Sequence, residues 1–136
     1  MAAYNKFNCF VEDLAEKKHN LVSDTLKVAF SNAANPPSSA DDVKLADITT
    51  IDTSNFDSIT LTVLSSGQTA GVYKLVLDDK VLTALGDIPA LRYAIIYNDT
   101  ALNDELIAWF DRGSEVELHS PDTIKLDFGA ELLSLA

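Results

Sequence analysis

The sequence predicts a mainly β protein, an antiparallel β-sandwich or small barrel of seven or eight strands with one N-terminal α-helix. Three observations carry that prediction. Short runs in which apolar and polar residues alternate with a period of two recur from residue 24 onward, clusters of Gly, Pro, Asn, Asp and Ser separate them, and no long amphipathic segment lies between successive runs as a βαβ arrangement would require. The 136 residues, 47% apolar and 23% charged, suit a single domain over 1–136 that buries a core without disulfides or metal.

The elements follow in order. In "NKFNCFVEDLAEKK" Phe7, Phe10, Val11 and Leu14 fall at i, i+3, i+4 and i+7, one face of an α-helix, which predicts a helix over about 5–18 within an N-terminal helical segment 1–22. The β body, 23–136, begins with "DTLKVAF", where Leu26, Val28 and Phe30 alternate with Thr25, Lys27 and Ala29. "NAANPPSSADD" breaks the pattern, because two prolines remove backbone donors and small polar residues favour turns, so 32–42 reads as a surface loop. "VKLADITTI" is left as a connector. "SITLTVL" places Ile59, Leu61 and Val63 on one face, and "SSGQTAG" reads as a long loop leading to "VYKLVLDD", in which Val72, Lys74 and Val76 oppose Tyr73, Leu75 and Leu77. "LRYAIIY" and "ELIAWFD" form a further pair around the acidic loop "NDTALNDE". "SEVELH", "DTIKLDF" and "ELLSL" complete the set, with Ile124, Leu126 and Phe128 on one face.

Charge narrows the partners. A net charge of −11 repels a phosphate backbone, so no nucleic-acid partner is expected. No apolar run approaches the roughly 20 residues that span a bilayer, so no membrane partner is expected either. The start "MAAYNKFNCF" has neither a basic region nor an apolar stretch of signal-peptide length, and the lone Cys9 cannot form an internal disulfide, which together suggest assembly in a cytoplasm. Residues 1–30 hold four lysines and four acids, so the rest of the chain carries the whole negative excess. The N-terminal segment is electrically distinct from the body.

No residue pattern spells out a reaction, and the chain is read as non-enzymatic. Asn98, Asp99, Asn103, Asp104 and Glu105 offer oxygens for calcium, but the ligand order and mid-loop Gly of an EF-hand are absent, and the same residue types close hairpin ends. "DTSNFD" puts Phe56 where a ligand would be needed. His19 and His119 have no ligand spacing around them and read as structural or surface residues, His19 as a helix C-terminal one. Cys9 has no adjacent base to activate it. The five glycines form no phosphate-cradling loop. No catalytic residue, cofactor or metal is therefore assigned. Tyr4, Phe7 and Phe10 place three of the eleven aromatics in the first ten residues. A helix bearing them either closes one end of the sandwich or packs on another chain, and the candidate partner interface is Tyr4, Phe7, Phe10, Val11 and Leu14. On that reading, changing Phe7 and Phe10 to Ser leaves a folded body that no longer assembles.

The run "YNKFNCFVEDLAEKKHNLVSDTLKVAFSN", then "LADIT", "GVYKLVLDD", "LRYAIIYNDT", "LIAWFDRGS" and a final "IKLDF", resembles a group of small β-rich virion structural proteins of tailed bacteriophages. The likeness covers nearly the whole chain, and its most specific pieces are "HNLVSDTLKVA" and "RYAIIYNDT". It departs in "TSNFDSITLTVLSSG", which lacks the Gly-rich stretch expected after "LADIT". The resemblance implies a structural component of the particle. The leading expectation is a capsid cement or decoration protein on the head surface, a homo-oligomer with a trimer favoured, whose partners are the major capsid protein or other virion proteins. A tail, neck or fibre-attachment component is the alternative, and a calcium- or ligand-binding β-sandwich the third reading.

Overall fold

The computed structural model describes residues 2–136 and contains one α-helix and nine β-strands among them. The fold is mainly β, its strands paired antiparallel in several sheets. The largest sheet has the order β1-β7-β6-β2, formed by β1 (Tyr4–Lys6), β2 (Leu26–Ser31), β6 (Ile88–Asn98) and β7 (Leu106–Leu118). A second sheet, β3-β4-β9, joins β3 (Val63–Thr69), β4 (Val72–Leu77) and β9 (Leu133–Leu135). A two-stranded ribbon pairs β5 (Lys80–Thr83) with β8 (Thr123–Leu126). The alternation expected of these segments is what lets one face of each turn inward. Phe10, Val28, Phe30, Leu75, Leu77, Leu82, Ile96 and Leu133 belong to one apolar cluster, so the N-terminal segment and the β body share a core.

The helix differs from the expectation. Helix α1 covers only Cys9–Ala15, and Tyr4–Lys6, expected to be helical, is a strand paired with β7 in the register Tyr4↔Phe110, Asn5↔Trp109, Lys6↔Ala108. The helix stops early because Lys17 adopts a left-handed conformation (φ 68°), with Lys18 N–H donating to Asp13 O at 2.8 Å and Lys17 N–H to Leu14 O at 3.3 Å. Those two bonds are the Schellman pattern, which satisfies the last carbonyls and turns the chain away.

The "SSGQTAG" stretch also differs. It is not a long loop: β3 continues through it, and the turn is only Ala70 (φ 52°) and Gly71 (φ 81°), both in the positive-φ region that a two-residue hairpin turn demands. Its residues are mostly exposed on both faces, so no apolar alternation marks them as a strand. "SITLTVL" is divided: its first part lies beside β2, through Val28 N–H to Ile59 O at 3.0 Å and Leu61 N–H to Leu26 O at 2.9 Å, while Val63 opens β3 and pairs with Leu77 of β4 as the hairpin expectation required. "SEVELH" is the distal part of β7 rather than a separate strand, and β5 was not expected.

The 32–42 segment is more than a surface loop. Its Pro37 is buried, Ser39 O accepts from Asn8 N–H at 2.9 Å, and Ser39 Oγ accepts from Trp109 Nε1–H at 3.0 Å. With the single 3-10 turn at Leu45–Asp47 it flanks a second cluster of Phe7, Ala29, Ile48, Ile95, Tyr97 and Leu106. The β1-β7-β6-β2 sheet is therefore apolar on both faces, which is why β6 reads as a nearly continuous apolar run. No helix among the described residues is long and apolar enough to cross a membrane.

Candidate functional site

The five residues expected at a partner interface divide between inside and outside. Phe7 and Phe10 are fully buried, Phe7 in the second cluster and Phe10 in the main one with its ring 5.3 Å from that of His19. Both rings are buried within the chain itself, so of the two uses open to this segment their burial follows closure of the core, and neither ring is presented to a partner. The helical spacing was real for Phe10 and Leu14, which pack inward, but Phe7 precedes the helix and faces the other side of the sheet. Tyr4, its ring 6.1 Å from Phe110, and Val11, 50% exposed, are the members open to solvent.

Next to Phe10 the chain buries a polar cluster. Asn98, fully buried, accepts through Oδ1 from Thr100 N–H at 3.0 Å and Ala101 N–H at 3.2 Å, and these two backbone donors fix its amide orientation. Its Nδ2 then donates to Asp24 Oδ2 at 2.7 Å and meets His19 Nδ1 at 2.9 Å. His19 Nδ1 must accept, so the ring carries its proton on Nε2 and is neutral. Asp24 Oδ2 also accepts from Asn20 N–H at 2.7 Å, and Thr100 Oγ1 from Thr25 N–H at 2.8 Å. The segment 19–25 is thereby tied to the end of the β6–β7 hairpin.

Burial pushes the His19 pKa down, against the opposing pull of Asp13, Glu105 and Asp24. A group whose folded-state pKa is depressed below its unfolded value contributes stability that is present above the unfolded pKa, about 6.5, and is lost as pH falls through that value toward the folded one. Wild-type stability measured by urea unfolding should therefore decline between pH 7.5 and 5.5 more steeply than that of His19→Gln, by up to about 1.4 kcal/mol per pH unit. Parallel slopes for the two proteins would show that folding leaves the His19 pKa where it is in the unfolded chain. His119 shifts the other way, raised by its hydrogen bond to Asp87, but both side chains are largely exposed and solvent screens the pair.

Cys9 is ill suited to nucleophilic chemistry. Burial, reinforced by the Asp13 carboxylate, pushes its thiol up to about 11, so the thiolate is scarce at neutral pH. The acidic loop 99–105 is a built turn. Its first residues hang on Asn98, Asp99 pairs with Lys27 at 3.1 Å, Glu105 Oε2 accepts from Asn103 N–H at 3.3 Å, and Asp104 has φ 53°. Leu102 projects from its tip at 94% exposure, the highest among the large apolar side chains.

The remaining feature is an open cavity of about 310 Å³ between β6, β7 and β8. Phe30, Leu91, Phe110 and Phe128 are among its apolar walls. Arg92, Arg112 and Lys125 also line it, against the single carboxylate of Asp127. Arg92 is held by Asp111 in a two-pronged pair at 2.9 and 3.1 Å, while Arg112 reaches only Ser114, at 3.0 Å to both O and Oγ. These three cations lie far apart in the sequence and converge only through the pairing of distant strands. One available signal was that Arg92 and Arg112 are the only arginines in the chain. Compared with known proteins, the chain matches no family model, no curated protein and no solved structure.

Proposed function

We propose that this chain is a non-enzymatic structural protein of a tailed-bacteriophage virion, a cement or decoration protein that binds and stabilises the head shell. One observation carries the reading furthest. The two stretches most specific to the resemblance, "HNLVSDTLKVA" and "RYAIIYNDT", meet in space: His19, Asp24 and Thr25 of the first bond to Asn98 and Thr100 of the second. The residues that carry the likeness hold the fold together, as expected of a scaffold whose product is a shaped surface. A decoration protein repeats weak contacts over a shell, and such contacts sum through multivalency without one strong site.

The test is the copy number of this chain relative to the major shell protein, by quantitative mass spectrometry of purified particles. Hundreds of copies per particle are expected. A few to a few tens would transfer the chain to the neck or tail, and absence from the particles would end the virion reading.

A further inference from the structure

We propose that the Phe110–Phe128 cavity receives the Leu102 loop of a second copy of this chain, giving a head-to-tail contact. The inference deepens the oligomer part of the reading above and rests on it only there. The two surfaces are complementary in polarity and in charge. The donor is an apolar knob, Leu102, 94% exposed, flanked by Asp99 and Asp104. The receiver is an apolar cavity of about 310 Å³ with three cations to one carboxylate on its lining, in a chain where acids outnumber bases 21 to 10.

Arg112 is the free cation of that rim. It forms no ion pair among the described residues, whereas Arg92 is already engaged by Asp111 and Lys125 lies 3.8 Å from Asp79. The loop side is crowded with like charge, Asp104 lying near both Asp99 and Glu105. A guanidinium from a neighbour relieves that crowding and desolvates into a pair at once. The loop is also held before it binds, by Asn98 and by Leu45 N–H donating to Asp104 O at 3.1 Å, so little ordering entropy is lost on docking.

Geometry makes the contact intermolecular. Ala94 and Phe110, which line the cavity, pair with each other in the β6–β7 hairpin, and Leu102 sits beyond Asn98 at its far end. Four strand residues separate the two surfaces by about 13 Å. A contact between two different surfaces of identical chains is heterologous, so it propagates into a closed ring or an open filament.

The experiment is sedimentation equilibrium of the wild type, Leu102→Asp and Arg112→Glu, with circular dichroism as the folding control, since both side chains are exposed. The wild type should show a mass rising with concentration above 14.7 kDa. Each variant should stay monomeric, its self-association at least tenfold weaker. Mixed one to one, the variants should form a dimer and nothing larger, because Leu102 of the Arg112→Glu chain can still enter the intact cavity of the other. Three results would overturn the docking: a monomeric wild type, including one that laurate stabilises through the cavity; a variant that assembles like the wild type; or monomeric variants whose mixture yields no dimer. A chain abundant in particles yet monomeric in solution removes this contact and leaves the virion reading intact. Self-association of a chain absent from particles does the reverse.

Discussion

Asn98→Asp is expected to destabilise the fold by about 3–5 kcal/mol, a large share of the roughly 5–15 kcal/mol that holds a domain together. The change replaces one NH₂ by one oxygen in a fully buried position. The two bonds accepted from Thr100 and Ala101 survive. The other side of the group is inverted. Where Nδ2 donated to Asp24 Oδ2 at 2.7 Å and to the His19 ring at 2.9 Å, an acceptor now faces a carboxylate and an acceptor nitrogen. Asn98→Ala removes all four contacts without adding a charge and should cost less, about 2–4 kcal/mol. Urea unfolding followed by circular dichroism measures both. Adding Asp24→Asn to Asn98→Asp should recover part of the loss, because the amide can donate to the new carboxylate. Full stability in Asn98→Asp would mean that the 19–25 segment does not lock onto the hairpin.

The second large effect is expected at Phe10 and Phe7, where truncation to Ala should each cost about 3–5 kcal/mol. Both rings are completely buried, in two different clusters on opposite sides of the large sheet. Losing either leaves a cavity that neighbouring strands cannot close without breaking register. Substitution to Ser adds a hydroxyl without an evident partner, so Phe7→Ser and Phe10→Ser are expected to unfold the protein rather than to leave a folded body that fails to assemble. Val11→Ser, half exposed on the same helix, should change stability by less than about 0.5 kcal/mol. Thermal melts of the three variants separate these outcomes; equal melting temperatures for Phe10→Ala and the wild type would place that ring outside the core.

Strands with one apolar face were legible from alternation alone. Ile124, Leu126 and Phe128 pack against or within the main cluster as the period of two demands, and so do Tyr73, Leu75 and Leu77. The first segment misled because Phe7, Phe10, Val11 and Leu14 match a helical face, although only Phe10 and Leu14 share one environment. Local periodicity cannot report that Tyr4–Lys6 pairs with β7, since the partner strand lies near the other end of the chain. The candidate site was hidden for the same reason. Arg92, Arg112 and Lys125 belong to three strands, and Leu102 looked like any residue in a polar turn. The loop's acids were visible, but whether they surrounded an exposed apolar tip was a matter of tertiary structure.

The pairing of β1 with β7 also sets an order of events during synthesis. Tyr4–Lys6 leaves the ribosome well before Ala108–Phe110, which it joins and which is made about 100 residues later. At roughly 5–20 residues per second β1 waits about 5–20 s for its partner strand. Phe7 and Phe10 wait with it, because Leu106 and Ile107, which share their clusters, come equally late. The stretch from Tyr4 to Phe10 is thus made long before it is able to fold, and a growing chain must keep its aromatics from other nascent chains until β7 arrives.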